Sequence, residues 1–269
     1  MEQFAFMTRL DNGTMPTPEP LFSSGFFGRA YAMSNDGMIM TIFTLILTAA
    51  LELTAFDQIK GILKRKGGST LYLQGVTANL INNGIFGPPL YELVSNRWMS
   101  GPCSTLHRAA LVLGIVIGHS IFYYSAHRLM HTRPMYWAHR FHHKFNVYVT
   151  PSTANAVSPT EYAIAYMLPF IIGAKVLQPD RMSMFIGVGC VSVPNLLIHT
   201  PILADTSSKY LPWLFCSTAD HLDHHRRLTT HYGAPTFSTD RLLAAVVGKP
   251  ASWNSEFDAA EQVAQKKAL

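Results

Sequence analysis

Residues 109–143 read AALVLGIVIGHSIFYYSAHRLMHTRPMYWAHRFHH. The first part, 109–126, has no charged residue and a single imidazole, His119, and it is about as long as a helix needs to be to cross a hydrocarbon core. The remainder packs in His127, His131, His139, His142 and His143 among arginines. An apolar helix that runs directly into an imidazole-rich segment decides the fold class: membrane helices that end beneath a polar, histidine-bearing cap.

Working outward, residues 38–56 (MIMTIFTLILTAALELTAF) form a second apolar run interrupted only by Glu52. Lys60, Lys64, Arg65 and Lys66 follow at once, a cluster of the kind that stays cytoplasmic. Residues 71–94 are weaker, because Asn79, Asn82, Asn83 and the Pro88–Pro89 pair break the pattern. Residues 161–199 split into two apolar halves around Gln178-Pro179-Asp180-Arg181, which predicts a helical hairpin. The sequence therefore predicts an all-α, multi-pass membrane bundle of about four to five spans with a cytoplasmic helical cap. Its expected division is an N-terminal non-membrane segment at 1–37, a membrane-embedded domain at 38–248 and a cytoplasmic tail at 249–269.

Composition agrees with this reading. Charged residues are 14% of the 269, against about 25% in an ordinary soluble domain, and the formal net charge is +5. Disorder, collagen and a charged cytosolic bundle are excluded. A soluble helical protein with unusually apolar core helices is the competing parse, disfavoured by several runs that approach spanning length. Cys103, Cys190 and Cys216 are too few and too scattered for a disulfide framework or a Cys-x-x-Cys metal site. The first 37 residues lack the basic, apolar and small-residue sequence of a cleaved leader.

The chemistry lies in the histidines. Nine of the 12 fall between 127 and 225: the five already named, then His199, then His221, His224 and His225. Residues three or four apart share a helix face, so His127 with His131, His139 with His142 and His143, and His221 with His224 and His225 each form a comb of imidazoles. Imidazole suits zinc, copper, iron and nickel, whereas hard oxygen ligands suit magnesium and calcium. A zinc ion takes four ligands, and a catalytic one only three from protein, so this many imidazoles are too many for one ion and about right for two. A redox metal such as iron makes sense of a site at a membrane surface that reaches apolar molecules. His199 ends the last apolar helix, where it can reach such a site. His107, His119 and His231 read as packing or surface residues. Asp220, Asp223 and Glu161 are the candidates for orienting the imidazoles through their outer N–H.

These motifs resemble the sterol desaturase and fatty acid hydroxylase superfamily of integral-membrane di-iron enzymes. His127-Arg128-Leu129-Met130-His131 is similar to its first histidine box, His139-Arg140-Phe141-His142-His143-Lys144-Phe145-Asn146 to its second, after Pro134, Tyr136 and Trp137, and His221-Leu222-Asp223-His224-His225 to its third. Tyr232-Gly233 and Asp240-Arg241-Leu242 resemble its closing signatures. The likeness covers roughly residues 107–248. It departs at Ser158-Pro159-Thr160-Glu161, where the family commonly has His-Pro-x-Glu, at Thr239, where a Trp is usual, and at Leu203, where some hydroxylases carry a further His.

The resemblance implies an oxygen-dependent oxidoreductase, a membrane non-haem di-iron monooxygenase or desaturase, with His127, His131, His139, His142, His143, His199, His221, His224 and His225 holding two irons per chain. Dioxygen would be the co-substrate, and an unactivated C–H bond of a sterol, fatty acyl chain or other apolar metabolite would be hydroxylated or desaturated. With no fused haem domain, electrons would come from a separate NAD(P)H-linked donor, such as a haem-b-type cytochrome and its reductase. Arg128, Arg140, Lys144, Arg226 and Arg227 are placed to attract an acidic carrier or anionic lipid headgroups. Nucleic acid is not expected, since the basic residues form no stacking surface. The terminal Lys266-Lys267-Ala268-Leu269 resembles a dilysine signal, and Asn12-Gly13-Thr14 is a glycosylation sequon on the opposite side. Together these imply an endoplasmic reticulum membrane protein with a cytoplasmic C-terminus. The competing class is a non-catalytic metal-binding membrane protein or transporter.

Overall fold

The computed structural model describes residues 35–233 and 235–247, so the Asn12 sequon and the Lys266–Lys267 tail lie outside the described residues. The described residues are helical, joined by turns, with two isolated β-bridges. We number the helices α1 Asn35–Glu52, α2 Phe56–Leu63, α3 Gly68–Leu80, α4 Gly87–Trp98, α5 Thr105–Met130, α6 Tyr136–His143, α7 Pro159–Leu177, α8 Arg181–Ile198, α9 Ala204–Tyr210, α10 Thr218–Arg227 and α11 Thr239–Val247.

Three of them, α5, α7 and α8, are long and apolar enough to cross a membrane. A fourth span results if α1 and α2 count as one, with an 81° bend between them. The described residues thus offer three to four spans where the sequence predicts four to five. The shortfall lies in residues 71–94, and its cause is visible in the side chains. Asn79 donates to the Ser152 carbonyl at 2.8 Å, and Asn82 donates to the carbonyls of Asn155 and Val157 at 3.0 and 3.2 Å. These amides pair the backbone of the buried turn Pro151–Asn155, which needs partners once it is removed from water. Segment 71–94 is helical except for a π-helical turn at Ile81–Phe86, directly before Pro88 and Pro89. A second π-helical turn, Tyr162–Met167 within α7, also precedes a proline, Pro169. Proline lacks the N–H that would close a regular turn behind it, and a widened turn accommodates the loss.

The expected hairpin forms: α7 and α8 flank Gln178–Asp180, and both pack on α5. Asp180 caps α8 by accepting from the Ser183 N–H at 3.0 Å, and its other oxygen is paired with Arg108 near the start of α5 at 2.8 Å. The α5–α8 contact is close because Gly187 has no side chain: a Cβ there would lie 2.9 Å from Ile115. Around this contact Tyr91, Ile115, Val116, Phe170, Met184 and Val191 form one buried cluster. Outward-facing Ile39, Ile42, Phe43, Ile46, Leu113, Ile117, Ile121 and Met182 stay exposed, an apolar belt suited to lipid.

The ends of the helices place the site. His127 and His131 are at the C-terminal end of α5, and His199 is the residue that closes α8. Glu52, the lone acid of the α1 apolar run, lies at the same end: it accepts from the Ser152 N–H and from the hydroxyls of Ser152 and Tyr72, all at 2.8 Å. Arg65 donates to the Lys144 carbonyl at 2.9 Å, which puts the basic cluster after α2 on the histidine side of the bundle.

Gly187→Leu should lower the melting temperature in detergent, since overpacking costs about 1–3 kcal/mol. Gly118→Leu, whose Cβ would meet no heavy atom within 4 Å, serves as the control and should leave it unchanged. Equal melting temperatures for the two variants would contradict the α5–α8 packing.

Candidate metal centre

Short helices beyond the bundle carry the remaining imidazoles. Helix α6 presents His139 and His143 one turn apart, with His142 beside them, and α10 presents His221, His224 and His225. Ser217 and Asp220 form a reciprocal capping box at the start of α10, so the helix is fixed just before its first histidine. Ser158, the residue that stands where the resembling family commonly has His, caps α7 and donates to the Ala138 carbonyl at 2.6 Å. That bond ties the residue before His139 to the turn that carries Glu161.

All nine predicted residues come together, and all are buried. They divide into two groups, His127, His131, His139, His143 and His224 in one and His142, His199, His221 and His225 in the other, with the candidate ligand atoms of each group within 4.8 Å of one another. The groups adjoin, for the ring of His225 lies 4.7 Å from His142 and 4.8 Å from His143. His107 is exposed in the first turn of α5, and His119 is buried within α5 against Tyr123 and Phe170. His231 lies outside both groups, 3.8 Å from Asp220 and from Asp223.

The outer nitrogens set the inner ones. Nδ1 of His127 is 2.9 Å from the Tyr232 carbonyl, Nδ1 of His224 is 2.7 Å from the Thr230 carbonyl, and Nδ1 of His199 is 2.7 Å from the Asn195 carbonyl. A carbonyl only accepts, so each of these Nδ1 atoms bears the proton and each Nε2 is a bare lone pair. His139 is oriented likewise by Glu161, with Nδ1 2.7 Å from Oε1. The bare Nε2 atoms of His127 and His139 then face each other at 3.0 Å, and His143 Nε2 is 2.8 Å from that of His139. In the second group Nε2 of His199 and His221 are 2.9 Å apart, and Nε2 of His225 and His221 are 3.1 Å apart. The lone pairs of His127 and His139, held this close, repel unless a cation lies between them, and the second group gathers four buried imidazoles round the bare Nε2 of His199, so the donor set fits two metal ions, one per group.

Protonation cannot relieve that repulsion at neutral pH. Burial first, and neighbouring imidazoles second, hold His131, His139, His142, His143, His221, His224 and His225 well below the ordinary 6.5. Burial takes His199 down to about 4. Neutral imidazole is the form that binds metal.

Of the three acids expected to orient imidazoles, only Glu161 does so. Asp220 accepts from the Ser217 N–H at 3.0 Å and from Arg241 at 2.6 Å, and Asp223 pairs with Arg227 at 2.9 Å. Both acids brace the helix and its neighbours. The closing signatures have a related role. Gly233 N–H donates to Asp240 at 2.6 Å, a Cβ at Gly233 would lie 2.6 Å from the Thr239 nitrogen, and Arg241 also donates to the carbonyls of Trp213 and Phe215. Leu228 and His231, with φ of 64° and 56°, turn the intervening loop so that the Thr230 and Tyr232 carbonyls meet His224 and His127. Those carbonyls carry no side-chain signal. The Tyr232-Gly233 motif was the one hint of them.

The fatty acid hydroxylase family model matches residues 112–245, a range that contains all nine histidines. No solved structure matches the chain.

Two outcomes follow from the site. Because the buried imidazoles sit below 6.5 in the fold but not in the unfolded chain, the unfolded chain takes up protons first on acidification. The stability of metal-free protein should be fully present above about pH 6.5 and fall steadily toward pH 4, read as melting temperature against pH; a flat profile would contradict the burial. Glu161→Gln should weaken metal affinity about 10–100-fold with the fold retained, measured by chelator competition and circular dichroism.

Proposed function

The chain belongs to the fatty acid hydroxylase family, an oxidoreductase family of hydroxylase and desaturase type, and from that premise we propose that it is a membrane di-iron oxygenase acting on an apolar, lipid-like substrate. The observation that supports this most directly is the pair of buried imidazole groups with converging ring nitrogens. His127, His131, His139, His143 and His224 would hold one iron, and His142, His199, His221 and His225 the other. Two irons, when bound, supply the reduction of dioxygen and the removal of hydrogen from an unactivated C–H bond, giving an alcohol or an alkene.

The chain's own residues do the rest. Tyr232, Thr230, Asn195 and Glu161 each hold a proton on an outer nitrogen, which fixes the tautomer and aim of the imidazole it faces. Burial beneath α6 and α10 excludes water from the reacting centre, which suppresses side reactions of a strong oxidant. Arg140, Lys144 and Arg226 are exposed beside the metal-type residues and suit an acidic electron carrier, a haem-b-type cytochrome with its NAD(P)H-linked reductase. The apolar spans suit an endoplasmic reticulum membrane, with the histidine end and the C-terminus cytoplasmic, since the basic cluster after α2 is on that end. A transport role would place the imidazoles at mid-depth along a path through the bundle. Here they gather where helices end.

Protein purified in detergent and reconstituted anaerobically with iron should hold two irons per chain. His142→Ala and His224→Ala, one from each group, should each lose about one iron and all substrate-dependent oxygen uptake while still inserting in the membrane. One zinc per chain after iron reconstitution, or full oxygen uptake in either variant, would overturn the reading.

A further inference from the structure

A slot of about 90 Å³ runs inside the bundle between α1, α4, α7 and α8. Along α8 it is lined by Met184, Val188, Val191, Asn195 and Leu196, a length of about 18 Å at the helical rise. One end lies beside Gly37 and Met184, next to the Asp36–Arg181 ion pair and far from the histidines. The other end stops at Asn195 and Tyr166, a layer one side chain thick. The Asn195 carbonyl faces His199 Nδ1 at 2.7 Å, and Tyr166 packs on Tyr123, whose ring lies 5.2 Å from His127.

The lining has two chemical features. None of its residues is Lys, Arg, Asp or Glu. Its polar side chains are largely spent on the protein: Thr41 donates to the Asn83 carbonyl, Thr44 to the Met40 carbonyl, and Tyr166 to the Ala154 carbonyl. Tyr91 is the lining residue whose buried polar side-chain atom is left over among the described residues. It is 9% exposed, shares a buried cluster with Val94 and Met184 at the far end, and its hydroxyl is buried with no hydrogen-bond partner among the described residues. A buried phenol left unpaired is costly, and it points to a ligand that accepts from it. A wider cavity between α5 and α8 carries no such signal, since among the described residues every buried polar side-chain atom in its lining has a partner and its Arg108 is paired with Asp180.

We propose that this slot binds the substrate, an uncharged long-chain compound with one acceptor oxygen, its oxygen on the Tyr91 hydroxyl and its chain running along α8 toward the histidines. The proposal rests on the oxygenase reading for its purpose and narrows the substrate class. Among the described residues no cation lines the slot, and Arg181 beside its far end is already paired with Asp36, so a free carboxylate, phosphate or thioester-linked nucleotide finds no unpaired counter-charge there. The narrow volume suits a single unbranched chain and disfavours a fused-ring body. The chain end then points at the layer of Asn195 and Tyr166 in front of the histidines, so the carbons nearest the metal-type residues are those remote from the oxygen.

The test is photolabelling of the full chain in nanodiscs at pH 8, with and without iron, using 1-hexadecanol that carries a diazirine at its chain end. Hexadecanoic acid with the same diazirine is the charged comparison. The alcohol should label the peptide around Ser192–Leu197 saturably, and the acid should not compete. Tyr91→Phe should weaken the apparent affinity about fivefold without moving the label, the loss expected for one hydrogen bond. Val188→Trp, which fills the slot from a half-buried position, should abolish labelling with the helical circular dichroism retained. Equal labelling by the acid, unchanged affinity in Tyr91→Phe, or a label elsewhere would overturn the proposal. Labelling is read in metal-free protein, so a chain that binds alcohol but no iron sinks the oxygenase reading alone, and one that holds two irons but leaves the slot unlabelled sinks the slot alone.

Discussion

The constraint on which everything else depends is electrostatic: nine imidazoles are buried together, neutral, with ring nitrogens aimed at one another. Neutral nitrogens 2.8–3.3 Å apart gain nothing from proximity unless they can share a proton or a cation, and the ones fixed by carbonyls on the outer nitrogen have no proton to share. The fold must therefore impose the arrangement before any metal arrives. It does so through rigid elements, the last turns of α5 and α8, the short helices α6 and α10, and hydrogen bonds that grip His127, His139, His199 and His224 from behind. An imidazole on a mobile loop would swing its nitrogen out of the cluster.

The same demand explains features that look unfavourable in a membrane protein. Asparagines in α3 and in the π-helical turn after it, and an acid in α1, are expensive beside lipid, yet Asn79, Asn82 and Glu52 all turn toward the segment 150–157. That segment follows α6 and leads into Glu161, so its backbone must be buried close to the histidines. Irregular backbone is tolerated at such depth only where protein groups satisfy it. The polar residues of segment 71–94 supply those groups, at the cost of a regular span.

Much of this was legible in the sequence, and the division follows a physical line. Spacings of three and four place His127 with His131 and His221 with His225, because helical periodicity is local. The α7–α8 hairpin could be read from two apolar runs around Gln178–Arg181 for the same reason. What could not be read depends on distant contacts. The separation of His142 from His139 and His143 into another group requires the position of α8. The carbonyls of Thr230, Tyr232 and Asn195 have no side-chain signature. Asp220 and Asp223 sit among histidines in sequence but are taken up by other partners, Asp220 by the capping box with Ser217 and by Arg241, and Asp223 by Arg227 one turn on. The 81° bend after Glu52 was hidden because the apolar run 38–56 continues through it.

Helix α8 connects the site to the membrane in a way that limits what it can act on. It holds His199 at one end and Arg181, paired with Asp36, at the other, and its 18 residues rise about 27 Å, close to the thickness of a bilayer core. The distance from the metal-type residues to the opposite end of the bundle is thus fixed by the membrane itself and not by loop length. A molecule seated in the proposed slot would meet the histidine end with whatever carbon lies about 18 Å along α8 from its anchored group. Changes in substrate choice would then come from moving the anchor along the helix, and the imidazoles could stay where the electrostatics require them.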